Sequence, residues 1–258
     1  MSRLPRPAWI GRGRGSELHP ALRLVLLWLR RHVFPRPEFY GLHHLDPGAP
    51  AILVANHLGS FGPVILSVHF PYPFFPWVTH EVTDPALCPA HLQRDFVEPE
   101  LGLEWPASEF VAALLGRICV AVMREIGAIP VYRKSRKLRL TIEESVERLA
   151  GGGWVLVFPE VQNALWDETV NEFHTGFVNI ARSLYRRTGA VARFYPVCVH
   201  RKKNLILIGE GVAFAPEQPF GPEKKRIVDY LEESIRRMYH AAEAASPAEV
   251  PSLSAPGP

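Results

Sequence analysis

The sequence has few cysteines, and none of them has the spacing of a metal site or a disulfide framework. Its 258 residues include Cys88, Cys119 and Cys198, scattered along the chain without a Cys-x-x-Cys pair. This pattern favours a reducing compartment and predicts no metal ligands. The first residues also lack a signal-peptide pattern that ends in a small-residue cleavage site.

A long hydrophobic run is absent from the basic N-terminal stretch. Residues 1–36 contain eight arginines and a single acidic residue, Glu17, and their longest apolar run, from Leu24 to Leu29, has six residues. A helix that spans a bilayer needs about 20 such residues. Apolar bulk that includes Trp28 and is flanked by arginines instead suits a helix, near residues 20–34, that lies on an anionic membrane surface. A core helix behind a disordered basic leader is the alternative.

Nucleic acid is not a predicted partner, because the arginines are neither interleaved with exposed aromatic residues nor set in a known reader motif. With 47% hydrophobic and 21% charged residues, the chain has the composition of a globular protein. Only the ends differ, since residues 1–16 are rich in Arg, Gly and Pro and residues 245–258 form a loose tail. Both ends are predicted to be disordered, and the folded domain is expected to span residues 17–244.

Between these ends, short apolar strands alternate with amphipathic helices, which predicts an α/β domain. Apolar residues recur at helical spacing over residues 138–149 and 227–238, and Pro222 is expected to open the second of these helices. A further, largely apolar helix is expected to follow Ser108 and to end at Gly127. The predicted strands are Ala51–Ala55, Phe75–Thr79, residues 128–132, residues 154–158, residues 192–199 and residues 205–209.

Two proline-containing segments interrupt this alternation. Residues 71–106 are proline-rich and irregular, which suggests a lid or an excursion that faces a membrane. Pro196 falls inside a predicted strand, and because proline lacks an N–H group, this position indicates an edge strand or a bulge.

A histidine follows the first predicted strand at a point where a ligand site is expected. His57 comes after Ala51–Ala55, in a turn where Gly59 and Gly62 permit unusual dihedral angles and Pro63 suits the first position of a helix. Open α/β sheets bind ligands at the carboxyl ends of their strands. His57 is therefore a candidate catalytic base, and a structural histidine in a turn is the alternative.

Two other segments place polar residues after predicted strands. Residues 127–137 end in a positive patch that includes Arg133, and guanidinium groups bind phosphate or carboxylate in bidentate fashion. Glu160 follows a buried strand and lies near Gln162. A solvated basic loop is the alternative for the first segment, and an ordinary exposed acid is the alternative for the second.

In their order and spacing, these segments resemble the glycerolipid acyltransferase superfamily, whose best-known members are the 1-acylglycerol-3-phosphate acyltransferases. The Asn-His-x-Ser-x-x-Asp block of that family corresponds here to residues 56–62, Asn-His-Leu-Gly-Ser-Phe-Gly. The second block, Gly-x-Ile-x-x-x-Arg, matches Gly127, Ile129 and Arg133.

The third block of the family, Phe-Pro-Glu-Gly-Thr-Arg-Ser, corresponds to residues 158–164, of which Phe158, Pro159 and Glu160 match. A later Phe-x-x-Gly helix and a Pro-Val strand match residues 173–176 and 196–197. The resemblance extends from about Leu22 to Tyr239 and implies a single α/β domain with a mostly parallel central sheet flanked by helices.

The resemblance also implies a chemistry. The chain would be a peripheral enzyme of phospholipid biosynthesis on the cytoplasmic face of a membrane, moving a fatty acyl group from acyl-CoA or acyl carrier protein to a hydroxyl or amine of a lipid. His57 would be the general base, with no covalent enzyme intermediate and no cofactor beyond the acyl donor. Backbone N–H groups of the glycine turn would stabilise the oxyanion. The residues that would bind substrate are Asn56, Arg133, Glu160 and Gln162.

The chain departs from the family at catalytically important positions. Gly62 replaces the Asp that would hold one ring nitrogen of the catalytic histidine, Gly59 replaces the Ser, and residues 161–163 replace Gly-Thr-Arg. We predict that Glu81, at the end of the next strand, is a substitute carboxylate for His57. An exposed acid at a strand end is the alternative.

Three functions are compatible with this pattern to different degrees. Retention of His57, Arg133 and Glu160 favours an acyltransferase with an altered acceptor. Gly62 and the altered third block favour the alternative, a catalytically inactive lipid-binding or scaffold protein of the same fold. An esterase is disfavoured, because the sequence lacks the Gly-x-Ser-x-Gly element that carries the nucleophile of such enzymes.

Overall fold

The structure, a computed structural model, describes residues 35–59, 61–132, 136–161 and 170–245. Contacts divide the chain into two units, of which the smaller comprises residues 75–144 and the larger comprises the residues on either side. The predicted basic leader, the predicted membrane helix near residues 20–34 and nearly all of the predicted tail lie outside the described residues.

The larger unit is built on a sheet in which most neighbouring strands are parallel. Its strand order is β1-β7-β6-β2-β5, with β8 as a second partner of β6. β2 is parallel to β5 and β6, and β1 is parallel to β7, whereas β6 is antiparallel to β7 and β8. The strands are β1 (Glu38–Tyr40), β2 (Ala51–Ala55), β5 (Val155–Val157), β6 (Arg193–His200), β7 (Leu205–Ile208) and β8 (Val212–Ala213).

β2 lies inside this sheet because none of its side chains is polar. All five of its residues are buried, as expected for a strand that is covered on both faces. A single apolar cluster surrounds it, to which Trp154, Tyr195 and Phe70 contribute the largest side chains. Phe70 makes edge-to-face contacts with other aromatic rings, including Phe74 at 5.7 Å.

Pro196 lies inside the sheet, at a bulge rather than at an edge, so the bulge alternative of that prediction is confirmed. Tyr195 and Pro196 stand opposite three residues, 209–211, between the two antiparallel pairings. β6 pairs with β2 on one side, where Pro196 is the partner of Val54, and with β8 and β7 in turn on the other. The Pro196 carbonyl accepts a hydrogen bond from Gly209 N–H at 2.9 Å, one residue beyond the end of β7. The missing N–H group of the proline therefore lies in the gap between two antiparallel partners, where it interrupts no ladder.

Helices of the larger unit pack against this sheet. α6 (Phe220–Ala244) contacts β6 and buries residues at helical spacing, including Ile227 and Leu231. It begins two residues before Pro222, which lies within its first turn rather than at its start. The remaining helices of this unit are α1 (Phe61–His69), the end of α4 (Leu138–Ala150) and α5 (Asn179–Thr188), which follows a 3-10 helix at Thr175–Val178.

The described residues of the smaller unit include two parallel strands, two α-helices and the start of α4, with a 3-10 helix at His80–Thr83 and a π-helix at Gln93–Val97. β3 (Phe75–Thr79) pairs with β4 (Ile129–Val131), and α2 (Cys88–Leu92) packs against α3 (Ala107–Glu125). α3 ends before Gly127, which has the left-handed conformation, with φ of 66°, that commonly follows a helix. Among the described residues, no helix is long and apolar enough to cross a membrane.

Every predicted strand has a counterpart, and two of them, β2 and β3, have the predicted bounds. β1 and β8 were not predicted, because three and two residues are too short to show a period-2 pattern.

Candidate active site

His57 lies in a tight turn between β2 and α1. Leu58 and Gly59 both adopt the left-handed conformation, with φ of 49° and 62°. The Phe61 N–H donates to the Leu58 carbonyl at 3.3 Å, and the Gly62 N–H donates to the His57 carbonyl at 3.2 Å. The turn thus places the imidazole at the carboxyl edge of the parallel strands β2, β5 and β6, where α/β sheets bind ligands.

Gly62 is held against the backbone of this turn. A Cβ atom at position 62 would lie 2.4 Å from the His57 carbonyl oxygen and 2.9 Å from the Asn56 carbonyl oxygen. The unusual dihedral angle that the sequence led us to expect occurs at Gly59 but not at Gly62, which is helical. The requirement for glycine at position 62 is therefore steric. Pro63 is the third residue of α1 and not the first.

The Glu160 carboxylate joins two loops at this edge of the sheet. One oxygen accepts the backbone N–H of His57 at 3.2 Å, and the other accepts the backbone N–H of Asn171 at 3.4 Å. Glu160 is only 4% exposed, because it follows β5, whose parallel pairing with β2 brings the two strand ends together. A buried carboxylate with two backbone donors fixes the position of the segment that carries His57.

Asn56 holds the other side of the turn. Its side chain is fully buried, donates to the Val199 carbonyl at 3.0 Å and accepts the Val199 N–H at 2.7 Å. Asn56 thus extends the contact between β2 and β6 one residue beyond the ladder. The contacts of Asn56 and Glu160 are with backbone groups, and a contact of either side chain with substrate stays a prediction.

The orientation of the imidazole distinguishes its two nitrogens. The ring lies edge-to-face against Phe158, with 5.2 Å between ring centroids. Nδ1 is buried, whereas His57 as a whole is only partly buried. The buried nitrogen is thus Nδ1, while part of His57 remains open to solvent.

Arg201 is a cation at the same edge that sequence reasoning did not identify. It follows β6, and its guanidinium lies 5.2 Å from the ring centroid of Phe61, the first residue of α1. Among the described residues, this guanidinium forms no ion pair. Since β6 was predicted as a strand, Arg201 could have been recognised as a site candidate from its position just after the strand. The parallel pairing of β6 with β2, which brings Arg201 to this edge, could not be predicted.

Known proteins resemble the chain in sequence and in fold. The family model described as Acyltransferase matches residues 111–200, a stretch that includes Gly127, Glu160 and Pro196 but begins after His57. This match supports the predicted resemblance to the glycerolipid acyltransferase superfamily.

A solved structure that the chain resembles is that of the 1-acyl-sn-glycerophosphate (LPA) acyltransferase, PlsC, from Thermotoga maritima. It matches with a TM-score of 0.53 over 87% of this chain and 78% of that chain, at 17% sequence identity. The match confirms the predicted fold, a single α/β domain with a mostly parallel central sheet flanked by helices. No curated protein sequence matches the chain significantly.

Arg133, Gln162 and Glu81 are the remaining predicted site residues. Arg133 and Gln162 are outside the described residues. Glu81 belongs to the smaller unit, in a 3-10 helix directly after β3. A hydrogen bond from the Thr79 hydroxyl is the main reason that the pKa of Glu81 is lowered, and His80 Nδ1 lies 3.4 Å from its carboxylate. Its role as the partner of His57 stays a prediction.

Proposed function

We propose that this chain is a membrane-associated acyltransferase that moves a fatty acyl group from acyl-CoA or acyl carrier protein to a hydroxyl or amine of a lipid acceptor, with His57 as the general base. The observation that carries the proposal is the hydrogen bond from the His57 backbone N–H to the Glu160 carboxylate, because it joins the first and third blocks of the family at the residue that would be the base. The partial exposure of His57 supports a catalytic role over a purely structural one.

The proposed reaction is a direct transfer. His57 Nε2 takes the proton of the acceptor hydroxyl while the oxygen attacks the thioester carbonyl of the donor. The tetrahedral intermediate collapses when the carbon–sulfur bond breaks, and the imidazolium returns its proton to the leaving thiolate. The products are an acylated lipid and a free thiol, so no covalent enzyme intermediate and no cofactor beyond the donor are needed.

The backbone of the turn would stabilise the charge on the oxyanion. The N–H groups of Phe61 and Gly62 already donate within the turn. We therefore assign the oxyanion to the N–H groups of Leu58 and Gly59, which the left-handed conformations of these two residues separate from the α1 ladder.

The substrates would be held by positively charged side chains. We assign a phosphate group of the acyl donor to Arg201, whose guanidinium is exposed at the carboxyl edge of the sheet. Arg133 and Gln162 keep the head-group role that the resemblance implies. The segment near residues 20–34 keeps its proposed role of attaching the enzyme to the cytoplasmic face of a membrane.

The test is acyl transfer by the purified full chain. Radiolabelled acyl-CoA or acyl carrier protein is incubated with a total lipid extract, and new labelled lipid is measured for the wild type, His57→Ala and the control His240→Ala. His240 is an exposed histidine of α6. We expect His57→Ala to abolish transfer and His240→Ala to retain it.

Two results would contradict the proposal. Transfer that survives in His57→Ala would remove the general-base role. Binding of acyl lipids by the wild type, without transfer to any acceptor in the extract, would favour the inactive lipid-binding protein instead.

A further inference from the structure

The most exposed large apolar side chains of the described residues lie in the smaller unit. Trp105 and Phe110 are 74% and 75% exposed, and Leu114 and Ile118 are 54% and 44% exposed. Exposed apolar residues scattered one by one are normal on a protein surface, but a contiguous set of large ones marks an interaction site. Trp105 precedes α3, and the other three residues lie on it.

These residues share one face of α3. Phe110, Leu114 and Ile118 follow one another at four-residue intervals and therefore form a stripe along the helix. The opposite face is the one that packs within the unit, and it consists of small residues. Its closest approach is at Gly116, where an added Cβ would lie 3.0 Å from Pro89. The buried residues of α3 are Ser108, Ala112, Gly116 and Val120.

Two arginines lie on the same exposed face as the apolar stripe. Arg117 lies between Leu114 and Ile118 along the helix, and Arg124 lies about two turns further on. Both arginines are exposed. Within the part of the chain that the structure describes, neither forms an ion pair. Glu125, the last residue of α3, lies beside Arg124 on this face, and Glu109 lies in the first turn. The face therefore combines an apolar stripe with two arginines, of which Arg117 has no acid within one helical turn.

We propose that this face of α3, with Trp105 at its start, docks onto an anionic lipid surface. A lipid interface accepts aromatic and aliphatic side chains into its acyl boundary and pairs arginines with its head groups. Trp105 suits this boundary because its ring is apolar and its indole N–H is polar. Arg117, in the middle of the helix, prevents α3 from crossing the bilayer, so the helix lies in the interface plane.

A second copy of the chain fits this face less well. In a two-fold symmetric pairing of α3 with itself about its centre, the Arg117 side chains of the two copies would lie near each other, and no acid lies within one helical turn of either. Anionic head groups offer Arg117 the complementary charge that such a pairing lacks. The choice of a lipid partner rests on the proposed function, in which the acceptor is a lipid.

Vesicle sedimentation of the full-length protein tests the docking face. We expect the triple variant Phe110→Ser, Leu114→Ser, Ile118→Ser to bind vesicles of phosphatidylcholine with 30% phosphatidylglycerol at least about tenfold more weakly, because each large side chain loses its apolar burial. A matched control, Tyr185→Ser with Val191→Ser, removes exposed apolar residues of the larger unit and should bind like the wild type. Arg117→Gln with Arg124→Gln should weaken binding only to vesicles that contain phosphatidylglycerol.

Two results would overturn the docking proposal. Unchanged vesicle binding by the triple variant, with a lower melting temperature, would mean that another segment of the chain covers this face. Unchanged vesicle binding, with a shift from dimer to monomer in size-exclusion chromatography, would mean that a second copy covers it.

Acyl transfer to a detergent-dispersed acceptor separates this proposal from the proposed function. We expect the triple variant to transfer at the wild-type rate in detergent and more slowly with acceptor in vesicles. If the wild type transfers nothing in either assay while vesicle binding still depends on the stripe, the docking face stands and the catalytic proposal fails.

Discussion

Gly62 approaches the His57 carbonyl so closely that a side chain cannot be added between them. A Cβ at position 62 would lie 2.4 Å from that oxygen, and backbone atoms cannot move aside as the end of a flexible side chain can. Asp stands at this position in the family that the chain resembles. The backbone of the turn thus leaves no room for the Asp of the family at position 62. An Asp side chain could be accommodated there only if the turn opened.

We therefore expect Gly62→Asp to lower acyl transfer rather than to raise it. Gly62→Ala should lower the free energy of unfolding by about 1–3 kcal/mol, as for other overpacked sites. The chain contains a matched control, because Phe-Gly-Pro opens both α1 and α6, and a Cβ at Gly221 meets nothing within 4 Å. Urea unfolding of Gly62→Ala and Gly221→Ala measures the difference. Equal stability of the two variants would refute the close approach.

Glu160 is expected to position the catalytic turn, so Glu160→Gln should lower kcat more than it raises KM. Glutamine keeps one acceptor oxygen, and the N–H of either His57 or Asn171 then loses its buried partner, at a cost of about 1–3 kcal/mol. A small displacement of the base can lower the rate about 100-fold. The control is Glu172→Gln, whose side chain is exposed. A higher KM at unchanged kcat would instead support the substrate-binding role that the resemblance implies.

Arg201→Gln is expected to raise the KM for the acyl donor about tenfold, with a smaller effect on kcat, because a charged partner of the phosphate is lost. The matched control is Arg193→Gln, which removes an exposed arginine from the opposite end of the same strand, β6. Initial rates at varied donor concentration measure both constants. If both variants have the same KM as the wild type, Arg201 does not contact the donor.

Glu81→Gln tests the substitute carboxylate. If Glu81 orients the His57 ring, the variant should lose up to about 10,000-fold in rate, as other enzymes do when the orienting carboxylate is removed. Its folding, followed by circular dichroism, should not change. Asp84→Asn, three residues later, is the control. Activity equal to the wild type would leave Glu81 with only the local contacts to Thr79 and His80.

Glu223 gives the fold a predictable dependence on pH. Burial alone would raise its pKa, but hydrogen bonds from the Arg226 guanidinium and the Ala215 N–H outweigh burial and hold the pKa below its ordinary value. The stabilisation is therefore present above the unfolded pKa and is lost as pH falls through the folded pKa.

Glu223→Gln should accordingly lower the free energy of unfolding by about 2 kcal/mol at pH 7, and the difference from the wild type should shrink in acid. Urea unfolding at a series of pH values measures it, with the exposed Glu233→Gln as the control. A difference that stays constant down to pH 3 would contradict the assigned cause.

Local sequence determined most of the secondary structure. Ala51–Ala55 is a run of apolar residues bounded by polar and glycine residues, so both its strand conformation and its burial could be predicted. The same holds for the stripe that forms α4 and for the blocks around His57 and Glu160, because their residue types and spacing are themselves the signal. The order of these blocks also led to the correct fold.

Tertiary structure alone decided what those residues contact. The Glu160 carboxylate reaches the His57 N–H across 103 positions of sequence, and Arg201 reaches Phe61 only because β6 pairs with β2. Pro196 was predicted to mark an edge or a bulge because its missing N–H is a local property, whereas two other strands form the gap that places it at a bulge inside the sheet. Gly62 was expected to supply an unusual dihedral angle, but a carbonyl oxygen of its own turn makes glycine necessary there. Local periodicity encodes which face of an element is apolar, and only the packed chain determines which atoms meet that face.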